Sequence, residues 1–271
     1  MPLAVCATPI GNLEDVTLRV LAELASADLV LCEDTRQTRV LLDRHGVRPR
    51  ARPLSYHRHN EAKRVEELLP RLLAGERVAL VSDAGLPGVN DPGVRLVRAA
   101  LDAGIAVTVL PGASAVETAL VVSGLAGEQY RFLGWLPRRA HERAALWQEL
   151  ARWPHPAVAF ESPQRLAASL ASLADEAPAR EVAVCRELTK RFEEVVRGSA
   201  AALASRYAEP PRGEITVVIG APVATAVEPP LARALEGVQQ LVGAGTPRRL
   251  AVDVVAGLCG VPRNDLYNAS L

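Results

Sequence analysis

The stretch Ser82-Asp-Ala-Gly-Leu-Pro-Gly-Val-Asn-Asp-Pro-Gly93 decides the fold of this 271-residue chain. The apolar run 77–81 before it predicts a buried strand, and the segment 94–104 after it predicts a helix that ends at a glycine. Its three glycines and two prolines predict a stiff loop whose backbone amides are free to meet a ligand. Open α/β sheets bind small molecules where such loops leave the carboxyl ends of parallel strands. Ordinary connections are about two to six residues long, so a ligand site is favoured over a simple turn.

The first 112 residues alternate strands and helices, which predicts an α/β lobe with a parallel sheet and helices on both faces. The predicted strands are Leu3–Thr8, Asp28–Cys32, 77–81 and Ile105–Leu110. The predicted helices start near Thr17 and cover Thr35–His45, 65–73 and 94–103, and Pro70 should kink or shorten the third of them. The sequence Thr8–Leu13 does not contain Gly-x-Gly-x-x-Gly, which argues against a dinucleotide-binding Rossmann enzyme.

A second α/β lobe with a mixed sheet is predicted over 113–220, followed by a linker at 221–230. Its predicted strands are Tyr130–Trp135, Ala157–Glu161, Glu181–Arg186 and Glu214–Gly220, with helices near 139–152, 163–175 and 199–208. Residues 231–271 form a small C-terminal helical unit, with helices at 231–243, at 248–258 and from Arg263. The last two helices flank a glycine turn and resemble a helix-turn-helix. A helical hairpin packed on the second lobe is the alternative.

Composition predicts a cytoplasmic protein. The hydrophobic fraction of 49% and the charged fraction of 23% are typical of soluble globular chains. No stretch has the length of a membrane span, and the N-terminus lacks a basic segment followed by an apolar one. The four cysteines are far apart, so we interpret them as small buried hydrophobic residues and not as a disulfide framework or a zinc site.

The charge distribution predicts a polyanionic partner although the net charge is zero. Residues 44–64 contain seven Arg and Lys side chains against one acid, and three histidines besides. Such a block is an electrostatic footprint for phosphate. The alternative is a solvated loop, because arginine is the preferred basic residue throughout this chain. His57 and His59 alternate as in a strand, and without further ligands they favour RNA contact over a metal site.

Eight short motifs, in the same order along the chain, are similar to those of a known enzyme family. They are Thr8-Pro-Ile-Gly-Asn-Leu13, Glu33-Asp-Thr-Arg36, His57-Arg-His-Asn-Glu61, the 82–93 loop, Leu110-Pro-Gly-Ala-Ser114, Gly134-Trp-Leu-Pro137, Glu161-Ser-Pro163 and Arg186-Glu-Leu-Thr-Lys190. Together they resemble the small-subunit ribosomal RNA methyltransferases of the tetrapyrrole-methylase-like class of S-adenosylmethionine-dependent enzymes.

The resemblance implies a two-lobed tetrapyrrole-methylase-like fold with S-adenosyl-L-methionine in the cleft between the lobes. It also implies 2′-O-ribose methylation of a cytidine in the decoding centre of 16S rRNA by a homodimer. From the residues themselves we expect neither a membrane nor a metal to take part. This chain departs from the family at three positions. Leu86 stands where the family usually has Thr, Trp135 where Phe is usual and Gln164 where His is frequent. Leu86 removes a hydroxyl from the cofactor loop.

A ribose hydroxyl is a poor nucleophile at neutral pH, so a base is expected at the strand ends that face the cleft. The predicted catalytic residues are Lys190, Asp34 and Glu161. Lys190 is one of only two lysines in the chain. A lysine beside a sulfonium and Arg186 would have a lowered pKa and could act as the base. The alternative for Lys190 is a surface ion pair with Glu187 or Glu193.

The predicted cofactor residues cluster in the same motifs. Asp83 would hold the ammonium or ribose of the cofactor, or simply cap its loop, and helix-start amides near Ser114 would meet a carboxylate. The full predicted cofactor set is Pro9, Asp83, Ala84, Gly85, Leu86, Pro87, Ser114, Ala115 and Phe160. The predicted RNA-binding set is Arg36, Arg50, Arg52, His57, Arg58, His59 and Asn60.

Two other functions fit the sequence. An enzyme of the same class could methylate a tetrapyrrole or a protein side chain, but the basic 44–64 block and the Glu187-Leu-Thr-Lys190 motif favour RNA. A non-catalytic RNA-binding assembly factor on the same fold is the second alternative, and the intact cofactor loop argues against it.

Overall fold

The computed structural model describes residues 2–222 and 230–271 of the chain. They fall into two compact units, Met1–Pro222 and Val223–Leu271. The predicted linker lies largely outside the described residues. Within the described part of the chain, no helix combines the length and apolar character needed to cross a membrane.

The first lobe is built on a parallel sheet, as predicted. Its strands are β1 (Leu3–Cys6), β2 (Leu29–Cys32), β3 (Leu54–Ser55), β4 (Val78–Val81) and β5 (Val107–Leu110), in the order β3-β2-β4-β1-β5. All four neighbouring pairs are parallel. The helices are α1 (Leu18–Ser26), α2 (Thr35–Arg44), α3 (Glu61–Leu73) and α4 (Val94–Asp102). Because the strands are parallel, their carboxyl ends and the loops that follow them share one edge of the sheet.

The sheet of the first lobe is buried on both faces. Leu3 and Val5 of β1 enter one apolar cluster, while Ala4 and Cys6 enter another on the opposite face. This double burial explains why the strands are uninterrupted apolar runs in the sequence. The prediction of buried cysteines is confirmed for three of them and wrong for Cys259, which is exposed.

The structure differs from the sequence predictions at two places in the first lobe. Pro70 does not shorten α3, which runs on to Leu73. Burial of Leu68 and Leu72 on either side of the proline offsets the missing backbone hydrogen bond. The short strand β3 inside the basic segment was not predicted, because two residues are too few to show a periodic pattern.

The second lobe contains the predicted mixed sheet. Its elements are α5 (Ala115–Ser123), β6 (Arg131–Trp135), α6 (Ala140–Ala151), β7 (Ala157–Glu161), α7 (Pro163–Glu176), β8 (Glu181–Arg186), β9 (Glu194–Ser199), α8 (Ala200–Arg206) and β10 (Ile215–Ile219). The strand order is β6-β7-β10-β8-β9, with β6 and β7 parallel and the other pairs antiparallel. The half-exposed edge strand β9 was not predicted, and of α5 only a helix start near Ser114 was expected. Helix α5 has apolar residues on most sides, so its sequence lacks a clear amphipathic period.

The C-terminal unit consists of α9 (Pro230–Gly243), α10 (Arg248–Cys259) and α11 (Arg263–Ala269). These helices share an apolar core that includes Val238, Val252 and Leu266. Gly260 ends α10 with a positive φ of 67°, which turns the chain into α11. The unit therefore has a core of its own.

A buried ion pair joins β7 to α7 in the second lobe. The Glu161 carboxylate is fully buried and lies 2.5 Å from the Arg165 guanidinium. It also accepts hydrogen bonds from the Ser162 amide (2.7 Å) and the Ser169 hydroxyl (2.6 Å). The partners are the N-cap residue Ser162 and two residues in the first half of α7, so the carboxylate fixes this helix to the end of its strand.

We predict that Glu161→Gln lowers the free energy of unfolding by about 3 kcal/mol, because it leaves Arg165 without its buried partner. Glu149→Gln is the matched control, since Glu149 pairs with Arg131 at the same 2.5 Å but with both side chains exposed. The control should change stability by less than about 1 kcal/mol. Urea denaturation at pH 7 measures both variants, and equal effects would contradict the structural role of Glu161.

Candidate functional site

Three of the sequence motifs meet at the carboxyl ends of β1, β4 and β5, namely Thr8–Leu13, the 82–93 loop and Leu110–Ser114. Thr8 and Gly85 form a two-way backbone bridge, with N–H···O distances of 2.8 and 3.0 Å. Gly85 has a φ of +75°, and a Cβ there would lie 3.8 Å from the Ala113 carbonyl oxygen. The 82–93 loop is therefore attached to the end of β1 and faces the segment after β5.

Close packing at Gly112 holds the Leu110–Ser114 motif against the end of β1. A Cβ on Gly112 would lie only 2.9 Å from the Cβ of Ala7, so this position requires glycine. Helix α5 starts immediately afterwards, at Ala115 with Ser114 as its N-cap residue. The Ser114 hydroxyl donates to Glu117, which leaves the first-turn amides of α5 without a side-chain cap. These amides can bind an anionic group.

The structure assigns different surroundings to the other predicted cofactor residues. Pro9 and Pro87 are buried and Ala84 is exposed. Leu86 packs against the apolar core of the first lobe, which accounts for an apolar residue there in place of a hydroxyl. Phe160 lies in the second lobe, where its ring makes edge contacts with Phe132 (5.1 Å) and Trp135 (5.9 Å).

Asp83 fixes the loop and retains one free oxygen. Its Oδ1 accepts the Asp34 amide at 2.9 Å, which is the capping role considered as the alternative. Its Oδ2 makes no hydrogen bond within the described chain. Burial raises the pKa of Asp83, and the Asp34 amide partly offsets that effect.

Two further carboxylates, Glu33 and Asp91, lie beside Asp83, and the sequence did not single out Asp91. Both are half-buried, and neither accepts a hydrogen bond or forms an ion pair within the described chain. Burial and the nearby charge of Glu33 raise the pKa of Asp91 to about 6, against the opposing effect of Arg58. Burial and the charge of Asp83 likewise raise the pKa of Glu33. Half-buried carboxylates with raised pKa values are candidates for proton transfer.

Asp34 has a structural position at the start of α2. It accepts the Arg36 amide at 2.8 Å and forms a two-pronged ion pair with the Arg36 guanidinium at 2.7–3.2 Å. These hydrogen bonds lower the pKa of Asp34 to about 2. A carboxylate with so low a pKa is a weak base, and the same pair engages Arg36. Glu161 is equally engaged by Arg165, Ser162 and Ser169.

The expected lowering of the Lys190 pKa is contradicted by its surroundings. The Lys190 ammonium donates to Glu214 at 2.8 Å and to Glu187 at 3.0 Å. Burial alone lowers the pKa of Lys190, but these two carboxylates outweigh burial and raise it. Lys190 is therefore an ammonium at neutral pH. The alternative of an ion pair holds for Glu187, whereas Glu193 accepts the Thr189 amide instead.

The Lys190 turn joins the two lobes. The Asn12 amide of the first lobe donates to the Thr189 hydroxyl at 2.9 Å. A Cβ on Gly11 would lie 2.5 Å from the Lys190 Cγ, so the two turns are in close contact. Asn90 of the 82–93 loop makes a second contact between the lobes, because it packs against Gly134 of β6. Asn90, Glu187 and Thr189 are the non-glycine residues with positive φ in the described chain, and all three lie at or beside these contacts.

The histidine segment forms a turn, so the strand-like alternation predicted there was wrong. Asn60 closes the turn by accepting the His57 amide (2.8 Å) and donating to the Ser55 carbonyl (3.1 Å). The His57 and His59 rings nevertheless come together, with 5.8 Å between centroids. Within residues 2–222 and 230–271, no group of three His, Cys, Asp or Glu side chains could hold a metal ion.

Folding neutralises much of the positive charge of the 44–64 segment. Five of its seven cations pair with carboxylates that lie outside the segment; the pairs are Arg44–Glu14, Arg48–Asp43, Arg50–Asp28, Lys63–Glu67 and Arg64–Glu67. Arg52 is exposed and has no carboxylate partner in the described chain. Arg58 donates to the Asn90 carbonyl at 2.5 Å and so connects this segment to the cofactor loop.

Solved structures share this architecture. The methyltransferase CobJ superposes with a TM-score of 0.61 at 21% identity, over 81% of this chain and 93% of the other. A uroporphyrin-III C-methyltransferase from Thermus thermophilus, solved with S-adenosylhomocysteine, has a TM-score of 0.57 at 19% identity, over 80% and 96%. At these identities the likeness concerns the fold.

Comparison of the sequence is more specific. Ribosomal RNA small subunit methyltransferase I of Mesorhizobium japonicum is 43% identical over 99% of this chain and 91% of its own length. The protein of the same name from Mycobacterium tuberculosis is 45% identical over 98% and 93%. The family Tetrapyrrole (Corrin/Porphyrin) Methylases matches residues 2–204. The chain therefore belongs to the tetrapyrrole methylases and, among them, to the ribosomal RNA small subunit methyltransferase I family.

Proposed function

We propose that this protein transfers a methyl group from S-adenosylmethionine to the ribose 2′-hydroxyl of a cytidine in the decoding centre of 16S rRNA. We place this activity in the cytoplasm and assign it to a homodimer. The observation that carries the proposal is similarity over nearly the whole chain to proteins named ribosomal RNA small subunit methyltransferase I. The cleft geometry supports it, because the glycine-rich loop and the start of α5 lie together.

The residues at the cleft fit such a cofactor. Gly112 lets two backbone segments approach where a side chain would clash with Ala7, and Gly85, with its positive φ, leaves open space beside Ala113. The free Asp83 Oδ2 suits an ammonium or a ribose hydroxyl, and the first-turn amides of α5 suit a carboxylate. Phe160 and its aromatic neighbours offer an apolar surface in the second lobe. Bound there, the cofactor supplies an electrophilic methyl group on a sulfonium.

The chain itself must orient the hydroxyl and accept its proton. Lys190 is proposed to act as a charged ammonium that binds the ribose or a neighbouring phosphate, because its carboxylate partners keep it protonated. Asp34 and Glu161 remain predicted site residues, but their oxygens are engaged by Arg36 and Arg165. Asp91 is the better proton acceptor, because its carboxylate has no partner and titrates near neutral pH.

RNA contact is assigned to the surface around the cleft. Arg36, Arg50, Arg52, His57, Arg58, His59 and Asn60 remain the proposed RNA-binding set. Arg52 is the cation of this set best placed for phosphate, since it is exposed and has no carboxylate partner among the described residues. Arg50 would have to exchange Asp28 for phosphate.

The experiment that tests the activity is mass spectrometry of 16S rRNA from cells with and without this protein. We expect one ribose-methylated cytidine to disappear in its absence and to return on complementation. An unchanged nucleoside profile would contradict the proposed function and direct attention to a tetrapyrrole or protein substrate.

Cofactor binding is tested at Gly85. We expect Gly85→Ala to lower affinity for S-adenosylmethionine at least tenfold by calorimetry, because the added methyl group enters the space beside Ala113. Gly104→Ala is the matched control, since Gly104 has a similar φ of +71° and open space around its Cβ position. Both variants should lose about 1–2 kcal/mol of stability from backbone strain. Equal cofactor affinity in the two variants would remove Gly85 from the site.

The identity of the base is tested by single-turnover methylation with saturating RNA. We expect Asp91→Asn to slow the reaction by about 10²–10⁴, and Lys190→Arg, which keeps the charge, to stay within about tenfold of wild type. The wild-type rate should fall below pH 6, because the Asp91 carboxylate is then protonated. Asp102→Asn, an exposed change on α4, is the control. The reverse pattern, with Lys190→Arg inactive and Asp91→Asn active, would make Lys190 the base.

Phosphate contact is tested at Arg52. Arg52→Gln should weaken RNA binding and reduce the slope of log affinity against log salt by about 0.7–0.9. Arg98→Gln, which removes an exposed cation that pairs with Asp102 on α4, should leave the slope unchanged. Filter binding across a salt series measures both, and identical slopes for the two variants would show that Arg52 is only solvated surface.

A further inference from the structure

A tight turn presents Arg191 and Phe192 at the surface of the second lobe. The Glu193 amide donates to the Lys190 carbonyl at 3.1 Å, which closes a β-turn with these two residues at its centre. Central turn positions usually hold Gly, Asn, Asp or Pro. Here they hold a phenylalanine that is 65% exposed and an exposed arginine. Such residues at a turn tip gain nothing from folding, which points to a role in binding.

The two side chains are already arranged as a stack. The Arg191 guanidinium carbon lies 5.5 Å from the centroid of the Phe192 ring. Arg191 has no carboxylate partner within the described chain, unlike the neighbouring Lys190. A planar cation beside an exposed ring is the combination on which unpaired nucleobases stack.

The turn is rigidly held in a costly backbone conformation. Glu187 and Thr189 have φ values of 52° and 64°, which side-chain-bearing residues rarely adopt. The Thr189 amide donates to Glu193 at 2.6 Å, and the Thr189 hydroxyl accepts the Asn12 amide of the first lobe. The stack is thus positioned before any ligand arrives, which reduces the entropic cost of binding.

A cavity of about 520 Å³ opens beside the turn. Residues 11–14 and Arg44 of the first lobe and Thr189, Lys190 and Arg191 of the second lobe line it. Arg44 is the first residue of the basic 44–64 segment, so the cavity continues the proposed RNA surface across the two lobes. Of its three cations, Arg44 pairs with Glu14 and Lys190 with Glu187 and Glu214. Arg191 has no carboxylate partner in the described chain and can bind a phosphate of the sugar-phosphate backbone.

We propose that the Arg191–Phe192 turn stacks an unpaired base of the RNA substrate while the adjacent cavity receives the flanking sugar-phosphate. The proposal rests on the proposed function and extends it to a base-stacking site outside the predicted RNA set. A second copy of the chain is the less favourable occupant. A twofold contact brings a surface against itself, and here it would oppose Arg191 and Lys190 to their own copies.

The test measures binding of full-length protein to two fluorescent oligoribonucleotides, one with all its bases and one abasic at its central positions. Phe192→Ala should weaken binding of the complete oligomer about 5- to 100-fold, without changing the salt slope or the affinity for the abasic oligomer. Phe192→Trp should restore binding. Arg191→Gln should reduce the slope by about 0.7. Leu18→Ala, at a leucine that is 84% exposed on α1, is the matched control and should have no effect.

Equal losses on both oligomers, or wild-type affinity of Phe192→Ala for the complete oligomer, would overturn the proposal. A shift from dimer to monomer in sedimentation of Phe192→Ala, with RNA affinity unchanged, would likewise overturn it and assign the turn to a contact between copies. Wild-type methylation of 16S rRNA is measured in parallel. Its presence confines any such failure to the stacking site, whereas its absence would count against the proposed function itself.

Discussion

The pair of backbone hydrogen bonds between Thr8 and Gly85 is the constraint on which the cleft depends. It joins the end of β1 to the loop after β4, although the two residues are 77 positions apart. The bridge requires Gly85 to adopt a positive φ, which leaves no side chain at the point where the segment after β5 approaches. The buried Thr8 hydroxyl reinforces it by donating to the Ser82 carbonyl at 3.1 Å. A loop held at its first residues can be long and still present its backbone in one arrangement.

The carboxylates around this cleft fall into two groups, those held in ion pairs and those without a partner in the described chain. Asp34 and Glu161 are each bound by an arginine and by backbone amides, so their oxygens are occupied. Glu33 and Asp91 have no such partners; the charge of Asp83 acts on Glu33, and the charge of Glu33 acts on Asp91. A fold that leaves two half-buried carboxylates unpaired forgoes stability at that place, and such sites are where chemistry is found. Motif membership alone does not make this distinction, because Asp34 and Glu33 are adjacent in the same motif.

The sequence predicted the fold well wherever burial gave a strand or helix a recognisable pattern of apolar residues. The strands β7 and β8 were placed to the residue, because each is a buried apolar run bounded by polar or turn residues. Of helix α5 only the start near Ser114 was expected, since apolar residues on most of its sides give no amphipathic signal. The site was predicted less completely. The motifs that meet at Gly85 were identified, but ion pairs such as Arg50–Asp28 and Lys190–Glu214 join residues more than 20 positions apart. Only the fold determines which carboxylate reaches which cation, and so which pKa rises.

The separate core of the C-terminal unit has a consequence for how the chain unfolds. Val238, Val252 and Leu266 are buried among the helices of that unit, and its contacts form a compact group distinct from residues 1–222. Cooperativity extends only as far as a shared core, so heat or denaturant can melt the three helices in a transition of their own. A unit of about 50 residues buries a smaller fraction of its surface than a large domain does, so its transition should come first. A single melting temperature would then describe neither unit.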